Sequence, residues 1–330
     1  MRSMSQLGND LYSGKTSFPF VGRRRLWFLI AAILVIASAL VPLFRPIQFS
    51  IEFTGGSQFT VTGLSAPIDQ LAATEAVHSV VPDATTKVAT VGDSAIRVQT
   101  DQLTDAESRE VSAALADAYD VPASEVSASF IGPSWGADVT RQSLWGLAIF
   151  LALTFLILAL YFRTWKMSVS AIIGLVDVLV ITIGVYALFG FEISPAAVIG
   201  FLTILSYALY DTTVVFDKIR ENTSEDGEVS GRTFGESVNL AVNQTLVRSI
   251  NTTVVAILPT GAILFIGIVW VGAQTLTDLS LAIFVGTIVA AYSTLFVASP
   301  LYSLLRENEP AIKSRDTRVL DARALAGTPV

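Results

Sequence analysis

Six windows of this 330-residue sequence are long enough to cross a bilayer and nearly empty of charge. A helix advances about 1.5 Å per residue, so about 20 mostly apolar residues span a hydrocarbon core of ~30 Å. Residues 26–44, 143–162, 249–277 and 279–305 contain no Asp, Glu, Lys or Arg. Residues 167–191 hold one charge, Asp177, and residues 193–216 hold one, Asp211. Lipid offers the backbone no hydrogen-bond partner, which leaves helices as the form such windows take. Only 15% of the side chains are charged, against roughly 25% in a soluble chain. The fold class is therefore a polytopic α-helical membrane protein with six transmembrane helices, at 26–44, 143–162, 167–191, 193–217, 249–272 and 279–305.

The basic residues orient these spans. Arg2, Lys15 and Arg23 to Arg25 precede the first; Arg163 and Lys166 separate the second and third. Lys218, Arg220, Arg232 and Arg248 lie between the fourth and fifth, and Arg306, Lys313, Arg315, Arg318 and Arg323 follow the sixth. Sixteen of the 21 basic residues thus fall on one side, which the positive-inside rule makes cytoplasmic. Residues 1–25, the loop 218–247 and the tail 306–330 are predicted to be cytoplasmic, the tail without stable structure and the Glu225-Asp226-Gly227 stretch mobile. The first apolar run has no small-x-small cleavage site close behind it and is predicted to remain as an anchor.

Residues 45–141 form the one large piece predicted on the outer side. From Arg45 to Gln142 the chain holds thirteen acidic and five basic side chains, a balance of −8 against −7 for the whole. Its pattern reads as a strand from Gln48 to Thr62, a helix from Ile68 to Val80, and a hairpin of Thr86 to Thr90 with Ala95 to Thr100. A helix from Asp105 to Tyr119 and a strand from Val126 to Ile131 complete it. This is a small α+β extracytoplasmic domain of βαββαβ type between helices 1 and 2. Thr104 and Glu107 have the spacing of a capping box. The absence of Cys excludes disulfides and thiol chemistry, and the single His78 excludes a multi-histidine metal site. No metal or cofactor is expected.

Ionisable groups inside a span cost ~2.5 to 3.5 kcal/mol on insertion scales and mark function by default. Asp177 lies about 16 Å along its helix from Lys166, and Asp211 about 10 Å from Lys218, at the usual helical rise. Tyr207, Tyr210, Thr212 and Thr213 surround Asp211 with hydroxyls. Arg248 stands at the mouth of the fifth span, with Asn251, Thr252 and Thr253 a turn deeper. A guanidinium that approaches or leaves a carboxyl in low dielectric makes it release or bind a proton. Asp211 and Arg248 are the candidate proton-coupling pair. Asp177 and the named hydroxyl and amide residues are candidate supports, and the membrane field supplies ~2.3 kcal/mol per charge per 100 mV. Pro259 and Gly261 are a candidate break in the fifth span.

Four motifs carry a resemblance. Glu52-Phe53-Thr54-Gly55-Gly56 is similar to the acidic-F-T-G-G motif of the SecD/SecF family, within the resistance-nodulation-division superfamily. Gly132, Pro133 and Gly136 fit its V-G-P-x-x-G element. The run from Asp211 through Asp217, Arg220, Glu221 and Asn222 resembles the family's fourth-span motif, and Arg248-Ser249-Ile250-Asn251-Thr252-Thr253 its fifth-span motif. Tyr210 stands where many relatives carry Asn, and Val176 where many carry His.

The resemblance implies a proton-coupled protein-translocation subunit of the bacterial cell membrane rather than an enzyme. It implies a partnership with SecD, the SecYEG channel and a YajC-like subunit, the proton gradient as energy source, and unfolded preproteins as substrates. Asp211 and Arg248 would be its coupling residues, with Asp177 at an acidic position of the third span. A lipid or drug exporter half-unit shares the carboxylate logic. An intramembrane aspartyl protease would need Asp177 and Asp211 to share a proton, and a passive scaffold would need neither.

Overall fold

The computed structural model describes residues 4–65, 67–92, 94–224, 231–267 and 274–325. Six of its helices are long and apolar enough to cross a membrane. They are α2 (Arg24–Phe44), α6 (Pro133–Phe162), α7 (Trp165–Phe189), α8 (Pro195–Thr223), α9 (Phe234–Ile266) and a last span in two parts. That last span joins α10 (Gln274–Ser293) to α11 (Ser299–Arg306) through a π-helical turn at Thr294–Ala298.

Several helices overrun the windows read from hydropathy, because charge ends a hydrophobic window without ending a helix. α6 begins at Pro133, ahead of Asp138 and Arg141, with Pro133 in the first turn where its missing N–H is harmless. α9 begins at Phe234 rather than Ser249, under a capping box made by Thr233 and Glu236. It runs through Pro259 to Ile266 without a break. The Glu225 to Gly227 stretch and residues 268–273 of the fifth window lie outside the described residues, and the last four residues of that window, 274–277, open α10.

α8 packs on α7, α9 and α10, and α7 packs on α2, α6 and α10. Leu175, Leu179, Phe201, Ile204, Leu205 and Ala282 form one core between them. The helices approach closely where side chains are small. A Cβ on Gly184 of α7 would stand 2.3 Å from Cβ of Ser38 on α2, as expected where apolar packing must come from van der Waals contact in lipid. The outward faces of α2, α6 and α9 remain exposed at Leu29, Ile36, Ile157, Leu160, Val255 and Leu258.

The sheet domain has the βαββαβ order. β2 (Gly56–Val61), α4 (Gln70–Val80), β3 (Thr86–Val91), β4 (Ala95–Thr100), α5 (Asp105–Ala118) and β5 (Val126–Ile131) give a four-stranded antiparallel sheet ordered β3-β4-β2-β5. Phe59, Val61, Ile96 and Val98 meet Val77, Val111 and Leu115 of the two helices in its core. The Thr104–Glu107 capping box is present.

The first strand departs from its reading. It is interrupted after β1 (Gln48–Phe49) by one helical turn, α3 (Ile51–Thr54), and resumes as β2. The cause is a second partner: β1 pairs in parallel with β6 (Glu192–Ile193), the residues just before α8, instead of joining the main sheet. Gly55 and Gly56 carry φ of +76° and +141° to turn the chain between the two pairings.

At the end of the bundle away from the sheet, the described parts of both tails are folded, contrary to the expectation of a structureless C-terminal tail. α1 (Met4–Tyr12) packs on α9, and Asn243 and Asn239 accept from the Phe18 and Val21 amides at 2.7 and 3.1 Å. α12 (Pro310–Leu325) buries Ile312, and Asp316 accepts from the first amide of α9, Phe234, at 2.8 Å. Arg323 pairs with Glu236 at 2.6 Å. The charges that made this tail look soluble are its docking contacts. Arg24 forks onto Glu307, and Glu309 takes Arg306 and Lys166, each at 2.9 Å.

Two predictions follow from this packing. A Cβ on Gly136 would meet the Phe53 carbonyl oxygen at 2.5 Å, whereas Gly146 on the same helix has open space. Gly136→Ala is expected to lower thermal stability in detergent by about 1–3 kcal/mol, and Gly146→Ala to leave it level or raise it by up to about 1 kcal/mol. The Glu309 carboxyl is held below the ordinary glutamate range, chiefly by the hydrogen bond from Arg306. Its contribution is therefore complete above the unfolded glutamate value of about 4.3 and is lost as pH falls through the lower folded value. Glu309→Gln should flatten the acid limb of a stability-against-pH curve; coincident acid limbs would count against the pairing.

Candidate functional site

The D-T-T-V-V-F-D run lies inside α8, where successive residues turn by about 100° and so face different neighbours. Asp211 faces α9, and one of its carboxylate oxygens accepts a hydrogen bond from the Ser249 hydroxyl. Ser249 is fully buried. Arg248, one residue earlier on α9, donates from its guanidinium to the hydroxyl of Tyr210, the neighbour of Asp211 in sequence, at 3.1 Å. The cation thus stands beside the carboxylate while a neutral hydroxyl makes the direct bond.

A cavity of about 40 Å³ adjoins this pair, lined by Tyr207, Tyr210, Asp211, Thr252, Thr253 and Thr287 together with alanines. That is room for about one water molecule. The threonine hydroxyls direct their protons to their own helices: Thr252 to the Arg248 carbonyl at 3.1 Å, Thr253 to Ser249 at 2.7 Å and Thr287 to Ile283 at 2.7 Å. Each hydroxyl is thereby satisfied within its own helix, and the surface that faces the cavity is mostly apolar.

The other expected residues fall in three places. Thr212 points away from Asp211 and meets Thr294 of the π-helical turn at 3.0 Å, both buried. Thr213 bonds to its own helix at Leu209, and Asn251 is exposed. Further along α8, Asp217 accepts from the Tyr161 hydroxyl of α6 at 3.2 Å, Lys218 pairs with Glu221 at 2.6 Å, and Asn222 donates to Gln244 of α9 at 2.9 Å. Arg220 is exposed. This part of the motif fastens α8 to its neighbours. Asp177 on α7 is buried, one of its oxygens has no hydrogen-bond partner, and its polar neighbours are Ser293 and Tyr292. It shares no partner with Asp211, so the geometry of a proteolytic aspartate dyad is not formed.

The two glycine motifs meet each other. Gly55 lies against Pro133, and Gly136 against the Phe53 carbonyl, so the strand after α2 and the start of α6 form one hinge under the sheet domain. Glu52, Phe53 and Thr54 make up the helical turn between β1 and β2. Ser249 is the functional residue that reading the motif for charge passed over. Its spacing from Thr252 and Thr253 does place it on their face of the helix.

One face of the site is open. Tyr207 and Tyr210 are 52% and 58% exposed in the middle of an apolar span, and Arg248 is exposed beside them. Polar groups at that depth need a covering surface that can bond them.

Loss of the Ser249 donor should be felt through Asp211. In a double-mutant cycle of Ser249→Ala with Asp211→Asn, stability in detergent should show a coupling of about 1.5–3 kcal/mol, the range for a hydrogen bond to a charged group. Additive effects would show that the bond has no energetic content.

Comparison with known proteins places these features in a family. A model of the protein export membrane protein SecD/SecF C-terminal region matches residues 110–308, and one of the SecD/SecF GG motif matches residues 41–62. The protein translocase subunit SecF of Streptomyces coelicolor is 40% identical over 325 residues, covering 98% of this chain and 86% of that one. The SecF subunit of Mycobacterium tuberculosis is 35% identical over 330 residues, covering 97% and 74%. The crystal structure of SecDF, a translocon-associated membrane protein from Thermus thermophilus, superposes with a TM-score of 0.77 at 28% identity. This chain covers 39% of that longer one.

Proposed function

Because the chain belongs to the SecD/SecF family of protein-export membrane proteins, we propose that it acts as the SecF subunit of a Sec translocase. In this reading it works with SecD and uses the proton motive force to promote late steps of export through SecYEG. The observation that carries the proposal is the Asp211 carboxylate held by Ser249 on the neighbouring helix with the Arg248 cation beside it. Protonation removes the charge that faces Arg248, and with it the electrostatic reason for α8 and α9 to hold this register. Deprotonation restores it. A proton that enters from one side and leaves to the other therefore cycles the α8–α9 contact, driven by ~2.3 kcal/mol per charge per 100 mV of membrane potential.

The chain offers a mechanical route for that movement. α8 starts at Pro195, directly after β6, and β6 is paired with β1. Gln99 of the sheet domain donates to Glu192 at 3.4 Å. A tilt of α8 is delivered through the β1–β6 pair to the hinge under the sheet domain, which in this reading faces the extracytoplasmic side and moves against an emerging preprotein.

A SecD half covers the open face with Tyr207, Tyr210 and Arg248, which accords with this chain spanning 39% of a SecDF protein. The bias of basic residues to one side supports both termini in the cytoplasm of a bacterial cell with the protein in its plasma membrane. SecYEG, a YajC-like subunit and unfolded preproteins are the further partners this role requires, and no cofactor beyond the proton gradient enters it.

The test is export by membranes carrying Asp211→Asn, followed with and without a proton gradient. The gradient-dependent component should fall at least about tenfold, the scale of losing a coupling of 1.4 kcal/mol or more, while SecD still co-purifies. Removal of Arg248 should give a milder defect with an altered pH profile. Wild-type gradient dependence in Asp211→Asn would overturn the proton-coupling role.

A further inference from the structure

The function proposed above uses one of the two intramembrane carboxyls and leaves Asp177 unexplained. Asp177 is 6% exposed, in the middle of α7, and its Oδ2 has no hydrogen-bond partner. The Ser293 hydroxyl is within reach of the carboxyl but directs its single O–H to the Gly174 carbonyl at 3.0 Å. It therefore offers the carboxyl lone pairs and no proton. A carboxylic acid can donate to that oxygen; a carboxylate would face it lone pair to lone pair. The donor a carboxylate could recruit is also present and idle. The buried Tyr292 hydroxyl, adjacent in sequence to Ser293, has no partner, and the charge of Asp177 reaches it.

Among the described residues, no fixed counter-charge is paired with Asp177. Of the helices packed on α7, α2 carries Arg24 and Arg25 in its first turn. α6 carries Asp138 and Arg141 in its first turns and Tyr161 next to its end. α10 carries Asp278 in its second turn. α11 carries Tyr302 and Arg306, which bond to each other at 2.8 Å. α8 carries Tyr207, Tyr210 and Asp211, directed toward α9 and the cavity there, and the charges from Asp217 to Glu221 toward its end. α10 also carries Tyr292, whose buried hydroxyl, like Asp177 Oδ2, has no hydrogen-bond partner.

Ser293 is followed by Thr294, the first residue of the π-helical turn, whose hydroxyl meets that of Thr212, the residue after Asp211 on α8, at 3.0 Å. Two consecutive residues of the last span therefore bond to the two helices that carry the aspartates, α7 at Gly174 and α8 at Thr212. The turn between α10 and α11 is irregular, with Ser299 donating to the Thr294 carbonyl at 2.8 Å. Such turns recur at functional sites and accommodate local shifts of a helix.

We propose that Asp177 is a second proton-binding site of this subunit, linked to Asp211 through the Ser293–Thr294 step at the head of the π-helical turn. As a neutral acid it donates to Ser293; as a carboxylate it takes the Tyr292 hydroxyl instead. The exchange of partner displaces Ser293 and Thr294 against α7 and α8. The linkage rests on the role proposed for Asp211, whereas proton binding at Asp177 does not.

The test is infrared difference spectroscopy of the purified complex in lipid across about pH 5–9, the range in which a perturbed carboxyl titrates. A protonated-carboxyl band should rise as pH falls in the wild type and vanish in Asp177→Asn. Asp177→Glu should retain the band at a changed frequency, which guards against a variant that fails to fold. In Asp211→Asn the midpoint should move by about one pH unit, a tenfold change in proton affinity through linkage, and Thr294→Val should abolish that shift. A band that does not titrate in the wild type, or that persists in Asp177→Asn, overturns the site; an unmoved midpoint in Asp211→Asn overturns the linkage. Wild-type export by Asp211→Asn would overturn the function proposed above without altering the Asp177 titration.

Discussion

A polar group in hydrocarbon must find its partner within the protein, and much of this structure follows from that requirement. It forces the backbone into helices, and it makes each retained polar side chain a constraint on which helices sit together. Asp211 needs a donor, and the donor, Ser249, is on α9. Thr212, rotated by one residue, bonds to Thr294 of the last span. The Asp217 carboxylate is held by Tyr161 of α6. Three positions within two turns of α8 thus tie it to α9, the last span and α6, and the apolar contacts around Ile204, Leu205 and Phe216 fill in between.

The same helix links chemistry to mechanics. Its middle carries the carboxylate and its start emerges from β6, which is paired to β1 and so to the hinge of the sheet domain. That hinge is tight rather than loose. Gly55, Gly56 and Gly136 sit where a side chain would collide with backbone or require strained torsions. The four-stranded sheet beyond it has its own core. At the opposite end of the bundle, the tails and the extended start of α9 form a layer joined by Arg24, Arg306, Glu307, Glu309 and Arg323.

How much was legible in advance varied with the range of the interaction. The six spans, the βαββαβ order and the Thr104–Glu107 cap depend on periodicity and on residues three or four apart, and these were readable. The split of the first strand was not, since alternation is the same whether Phe49 pairs with β5 or with Ile193, far along the chain. The C-terminal helix was missed because its charges looked like a solvated tail; Asp316 and Arg323 in fact bond to residues at the start of α9. Ser249 was overlooked because a serine beside an arginine carries no signal until the partner carboxylate is known.

By itself the sequence determined that this chain is a six-span membrane protein with a small α+β insertion and two carboxyls retained inside the spans. Hydrophobic length and local periodicity are properties of the chain, independent of what it touches. Only the tertiary structure decided that Ser249 and not Arg248 bonds Asp211 directly, that Asp177 sits apart with an idle tyrosine, and that β1 belongs to the start of α8. Each is a contact between residues tens to hundreds of positions apart. Helix packing sets such contacts, because rotation of one residue about a helix axis by about 100° changes which neighbour a side chain meets.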